Sequence, residues 1–387
     1  MSPYLLPFIV FITLYYCISY VGIYSSTNIK RLQPDITITM LIGMCLFAGL
    51  RWSKYTLFDF EIFDYATYKE IFEDNISIFN FKSDIENASL SVKTTEPGYT
   101  LYSLIIKNII GSNYNIFLLF TNSLLVFLFY KSLKENKINN GLIIIIFIYV
   151  ARLYLQYNFV LLRQAIAMMI IWRWSFPYIL KKDNKKFLGA TLIACLFHIT
   201  AIIALLSPLF LRKYQSKKIL LLIIFSALLS LTSIIDNIII GVISSILPLI
   251  GFGGVSDKLG SYILMSSLGS RGLNLINFVE VLPFAYIAYR YRHHINENIH
   301  LRFYSNMLLF YILFLALTMN FSFLTRMSQY FIFSFFYLLS FYIKNAKSSF
   351  NKQIYLTTLT SYFFIYALRY CLIWHNNDNY SCWLLNI

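Results

Sequence analysis

The chain is 387 residues long with a formal net charge of +15, 58% apolar residues and only 13% charged ones, against the roughly 25% charged residues of a typical soluble domain. A soluble protein of this composition would lack the polar surface to enclose its core. The positive residues fall in short loop clusters instead of on one polar face, which argues against nucleic acid as a partner.

Cysteine usage adds no further class. The five cysteines are scattered, and no CxxC or Cys/His spacing suggests a disulfide framework or a zinc site. The first apolar stretch, 3–24, has neither a basic leader nor a small-residue cleavage site, so it reads as a retained helix.

A helix needs about 20 residues to cross a bilayer. Apolar stretches of that order predict spans over 3–24, 35–53, 141–159, 163–180, 219–236, 273–290, 303–321, 327–343 and 354–371. Two regions are less regular. Residues 98–130 hold a short apolar piece, a turn at Gly111-Ser112-Asn113 and then a full span. Residues 187–211 are one apolar run interrupted by His198.

More than half of the 32 Lys and Arg lie in six clusters, at Lys30-Arg31, Lys131 to Lys137, Lys181 to Lys186, Arg212 to Lys218, Arg290 to Arg302 and Lys344 to Lys352. Short loops of this kind stay on the cytoplasmic side. With all six inside, the region 98–130 crosses once in net terms, and its short first piece is expected to be re-entrant or interfacial. The run 187–211 must turn back on itself with His198 at the apex. Irregular backbone at membrane depth is tolerated only where protein or a wet cavity covers it, so a cavity is expected there.

Outside lie an acidic loop, 52–97, with nine Asp/Glu against four Lys, and a semi-apolar loop, 237–272, carrying Pro248, Gly251, Gly253 and Gly254. The expected fold is an all-α integral membrane protein, a polytopic bundle of about 10–12 membrane helices with short or re-entrant ones included. It forms one integral membrane domain over 1–387, and a GT-C-like arrangement is one form it would take.

Once that topology is drawn, Arg51, Arg163, His198, Arg326 and Arg369 fall at the outer ends of spans, on the side of Asp59, Asp64 and Glu96. Arg271 joins them from the second outer loop. Ionisable groups at a membrane face are costly unless paired or wet, and their convergence marks a functional cavity. Each has a plainer reading: Arg51 or Arg369 snorkelling to headgroups, His198 capping a helix break, the loop carboxylates being solvated. Arg152 and Arg173, set within spans, either pair internally or mark a helix end that lies elsewhere.

Taken in order, Gly49-Leu50-Arg51, Asp64-Tyr65 with Tyr68, Glu96-Pro97 with Tyr99, Leu162-Arg163-Gln164, Phe197-His198-Ile199-Thr200-Ala201 and Arg326 with Tyr330 resemble the pattern of the EpsG/Wzy family. These are bacterial polymerases of O-antigen, capsule and exopolysaccharide repeat units. Spacing after Arg51 leaves Asp59 or Asp64 for the family's aspartate position, with Asp64 favoured by Tyr65 and Tyr68.

The resemblance implies a membrane glycosyltransferase of the bacterial inner membrane with a periplasmic active site. It would transfer a growing glycan from undecaprenyl pyrophosphate to a new lipid-linked unit, alongside a flippase and a chain-length regulator. No metal and no cofactor are expected. Arg163, Arg326, Arg51 and Arg271 suit the pyrophosphate, because planar guanidinium groups match phosphate oxygens. Gln164, Tyr330 and Tyr99 would complete the substrate site. The attacking hydroxyl must lose a proton to His198, Glu96 or Asp64, with Asp64 favoured for positioning the sugar. A lipid-linked oligosaccharide flippase or transporter would also hold arginines in a cavity, and a polysaccharide O-acyltransferase would also use a membrane histidine.

Overall fold

The computed structural model describes residues 6–24, 27–51, 63–74, 95–214, 224, 279–317 and 322–374, and every element formed there is a helix. The predicted span 219–236, the loop 237–272 and Arg271 lie essentially outside the described residues. By length and composition Leu6–Tyr24, Leu32–Gly49, Tyr114–Glu135 and Ile299–Leu317 can cross a membrane, and Leu142–Tyr157 and Ile199–Leu211 are shorter apolar helices. The protein is an all-α polytopic membrane protein. The exposed faces agree: Leu6, Val10, Leu14 and Val21 run down one side of the first helix, while Tyr15 and Ser19 are buried. A soluble helix would place these the other way round.

The chain forms two compact units. The first comprises Met1–Arg173, Leu192–Ile199 and Ser340–Ile387. Here the helices Leu6–Tyr24, Thr27–Gly49, Tyr114–Glu135, Leu142–Tyr157 and Ser349–Trp374 pack through rings and polar pairs. Phe11 stacks on Phe47 at 4.1 Å. The hydroxyl of Tyr154 donates to Met44 O at 2.5 Å, and the Tyr15 hydroxyl donates to Met40 O. Tyr16 meets Ser361 at 3.0 Å and stacks on Phe364 at 4.4 Å. Between lipid and protein the hydrophobic effect does little, so this close fit of rings, small residues and hydrogen bonds holds membrane helices together.

The irregular region 98–130 is built as its residues suggest. The helix Pro97–Ile110 has 14 residues, about 21 Å at 1.5 Å per residue and short of the ~30 Å hydrocarbon core. Gly111 ends it at φ +81°, a conformation that a side chain resists, and donates to Lys107 O at 2.9 Å. Asn113 then caps Tyr114–Glu135, accepting from Asn115 N at 3.0 Å and Ile116 N at 3.2 Å.

Two turns of π-helix were not expected from the sequence, Val150–Tyr154 and Ile171–Ser175. For the second, Pro177 has no N–H to give to the preceding turn. The buried Asn136 side chain supplies a donor instead, to Trp172 O at 2.8 Å and to Ser132 O at 2.7 Å. Of the two readings for Arg173 the structure gives internal pairing, with Glu135 at 3.3 Å. Arg152 stands over the Tyr366 ring at 5.2 Å.

The second unit comprises Trp174–Thr191 and Thr200–Leu339. Its described core is aromatic, with Phe176, Phe210 and Phe331 around the helix Ile299–Leu317. Asn306 of that helix donates to Phe210 O and Arg212 O, each at 2.9 Å. This satisfies carbonyls at the end of the 3-10 helix Ile199–Leu211. At about 2.0 Å per residue, those 13 residues reach roughly 26 Å, so few residues cover much of a bilayer. Glu280 is fully buried and accepts from the Tyr311 hydroxyl at 2.6 Å.

Candidate active site

The Glu96-Pro97 pair sets the first piece of the site. A residue before proline is driven to extended backbone, and proline is at ease in the first turn of a helix. Glu96 accordingly has φ −63° and ψ 135° and opens the helix Pro97–Ile110, with Pro97 leading it. Its carboxylate makes no capping bond to its own helix. Arg163 Nη1 donates to Glu96 Oε2 at 2.5 Å, and His198 Nδ1 stands 3.3 Å from Oε1.

Three residues that are far apart in the sequence therefore meet within the first unit. Arg163 comes from the first turn of Leu162–Ile170. His198 follows the end of Asn184–Phe197 and donates its backbone N–H to Ala194 O at 3.0 Å. The break at His198 is thus where the sequence puts it. The three side chains are between 16% and 23% exposed, buried enough for charges to act strongly and open enough to be reached.

Gly98 makes the meeting possible. A Cβ there would lie 2.7 Å from the carbonyl oxygen of Leu196, closer than real side chains come. Only glycine lets the start of one helix approach the end of the other. Tyr102, one turn on, meets the ring of Phe197 edge-on at 6.2 Å and shares a 3.0 Å hydrogen bond with Thr121.

The helix Phe63–Glu73 is laid against this group. Its Tyr68, Ile71 and Phe72 are buried. Tyr68 packs on Tyr99 at 5.3 Å, and the Arg163 guanidinium lies 5.8 Å over the Tyr68 ring. Phe72 packs on Phe117 at 4.6 Å. Lys107 donates to Glu73 O at 3.1 Å and Asp74 O at 2.9 Å, an ammonium on the carbonyls at a helix C-terminus. Asp64 belongs to this helix, but its side chain and Asp59 lie outside the described residues.

Arg51 is buried, its Nη1 donating to Asn158 O at 2.9 Å and its guanidinium 4.7 Å over Phe159. Asn158 is itself bound by the Tyr149 hydroxyl at 2.8 Å and donates to Asn122 at 3.1 Å. Tyr99 and Gln164 are buried, and Arg369 is exposed. In the second unit Arg326 is half-buried in Ser322–Ser328, and the buried Tyr330 hydroxyl lies 3.1 Å from Thr200 Oγ1.

Sequence reasoning passed over Gly98, Lys107 and Asn158. Only Gly98 carried a signal, as a glycine in the first turn directly after Glu-Pro.

As chemistry, the group holds an anion between a guanidinium and an imidazole. With its proton on Nδ1, facing the carboxylate, a neutral His198 presents Nε2 as a proton acceptor. Arg163 has five N–H donors, more than one carboxylate oxygen can use. A model of the EpsG family matches residues 36–384 of the chain. Neither a curated protein nor a solved structure matches it.

Proposed function

The chain belongs to the EpsG family, a Wzy-like polymerase family, and on that premise we propose how it extends a glycan. The family points to a polysaccharide polymerase, a glycosyltransferase-like enzyme in a multi-pass membrane protein. Our reading is that it joins repeat units carried on undecaprenyl pyrophosphate at the outer face of the bacterial cytoplasmic membrane. The growing glycan passes from its carrier to a new lipid-linked unit.

The observation that carries this reading is the Glu96 carboxylate held between Arg163 and His198. The acceptor hydroxyl gives its proton to His198 Nε2 as its oxygen bonds to the anomeric carbon of the donor sugar. The bond from that carbon to the pyrophosphate oxygen breaks, and its electron pair leaves with the pyrophosphate. Glu96 orients the imidazole and stabilises the imidazolium that forms, the part a carboxylate plays behind a histidine base. Remaining N–H groups of Arg163 meet the negative charge growing on the leaving group. Pyrophosphate needs no protonation to leave, so a single base suffices.

Arg326 and Arg271 are proposed as further partners of the carrier, and Asp64 as a group that positions the sugar. Arg51, whose guanidinium is held by Asn158 O and the Phe159 ring, is proposed for the same carrier.

The test follows long glycan and single lipid-linked units separately in cells carrying Arg163→Ala, His198→Ala or Glu96→Gln. Loss of long chains with the single unit still reaching the outer face is expected. Units trapped on the cytoplasmic side would replace this reading with a flippase.

A further inference from the structure

A cavity of about 280 Å³ lies in the first unit. Gln33, Thr37, Tyr130, Lys134 and Asn139 bring polar groups to its wall, and the rest of the lining is mainly apolar, Ile38 and Leu142 to Ile144 included. The polar ones belong to the stretches that carry the Lys30-Arg31 and Lys131 to Lys137 clusters, the basic end of the helices.

The wall is preformed. The fully buried Asn136 side chain fixes the turn after Tyr114–Glu135 through Ser132 O and Trp172 O. Gly141 turns the chain at φ +72°, and Asn140 N donates to Ser340 Oγ at 3.1 Å. On the opposite side Pro34 interrupts the hydrogen-bond ladder of Thr27–Gly49, since it has no N–H. Thr37 there is buried and donates to Gln33 O at 2.7 Å.

Charge in the cavity is of one sign. Lys134 is the one charged side chain among its described lining residues, and its ammonium stands 5.5 Å over the Tyr130 ring. Glu135, next along the helix, turns to Arg173 at 3.3 Å, and Asp35 does not line the space. With amide and hydroxyl groups around one cation, the site suits a phosphodiester. The volume lies just below the ~300 Å³ at which pockets for drug-sized ligands begin, so it admits a headgroup and not an oligosaccharide.

We propose that this cavity is a binding site for the phosphate of an anionic phospholipid headgroup, separate from the glycan site and independent of the reaction assigned to it. Basic pockets between membrane helices on the cytoplasmic side hold such headgroups. The same chemistry would accept soluble phosphate, and the experiment separates the two.

Full-length protein is purified, and phosphatidylglycerol and phosphatidylcholine retained on it are compared by native mass spectrometry. Thermal shift with inorganic phosphate runs in parallel. Preferential retention of phosphatidylglycerol is expected, about fivefold weaker in Lys134→Gln and restored in Lys134→Arg, since one lysine near a membrane surface contributes about that factor. Lys131→Gln, whose ammonium lies over Phe127 at 5.4 Å and does not line the cavity, leaves retention unchanged.

Equal retention of the two lipids, or retention indifferent to Lys134→Gln, overturns the proposal. Stabilisation by inorganic phosphate that Lys134→Gln abolishes, without discrimination between lipids, assigns the cavity to a soluble anion and overturns the lipid reading.

Discussion

Gly98 and Leu196 approach so closely that a Cβ on the glycine would come within 2.7 Å of the leucine's carbonyl oxygen and 2.8 Å of its carbonyl carbon. The obstacle is backbone, which cannot rotate aside as a side chain can. Gly98→Ala must therefore separate the helix bearing Glu96 from the chain leading to His198. Misplacement by about 1 Å costs on the order of 10²-fold in rate. Glycan length distributions on gels should collapse toward single units, although no proposed catalytic side chain has changed.

The bond from Arg163 to Glu96 should show strong coupling. Removing either partner leaves a charge in a setting less than one-quarter exposed, with a cost of about 1–3 kcal/mol. Thermal unfolding of Glu96→Gln, Arg163→Gln and the double variant gives a cycle. Additive losses would show that the pair contributes no interaction of its own.

Tyr330 and Thr200 offer a milder case in the second unit. Tyr330→Phe removes the 3.1 Å hydrogen bond to Thr200 and should lower stability by about 0.5–1.5 kcal/mol. Thr200→Val should cost about the same, and the double variant little more than either alone. Thermal melts of the purified protein provide the measurement.

Topology is tested without touching the site. Reporters fused after Lys134, Lys185 and Lys217 should all give a cytoplasmic signal, because each follows a basic cluster. An external signal at any one of them would remove the parity argument that places Glu96 and His198 at the outer face.

Much of the fold could be read from the chain because membrane helices announce themselves by composition. The breaks at Gly111 and His198 could be read too, since a glycine with an asparagine N-cap behind it and a histidine in an apolar run are local features. The π turn at Ile171–Ser175 could not. It depends on the Asn136 amide, which arrives from another helix. Glu96, Arg163 and His198 were recognisable as candidates, but their pairing rests on the Gly98 approach, a distance between segments that no local pattern encodes. The setting of Arg51 shows the same limit, since its neighbours Asn158 and Phe159 reach it by packing that its place in the sequence does not encode.

Lys107 has a consequence for how the site keeps its alignment. By holding Glu73 O and Asp74 O it ties the end of Phe63–Glu73, the helix that sets Tyr68 against Arg163, to the helix that Glu96 opens. The acid and the ring beside its guanidinium partner thus share one footing, and a shift in either helix is felt by both.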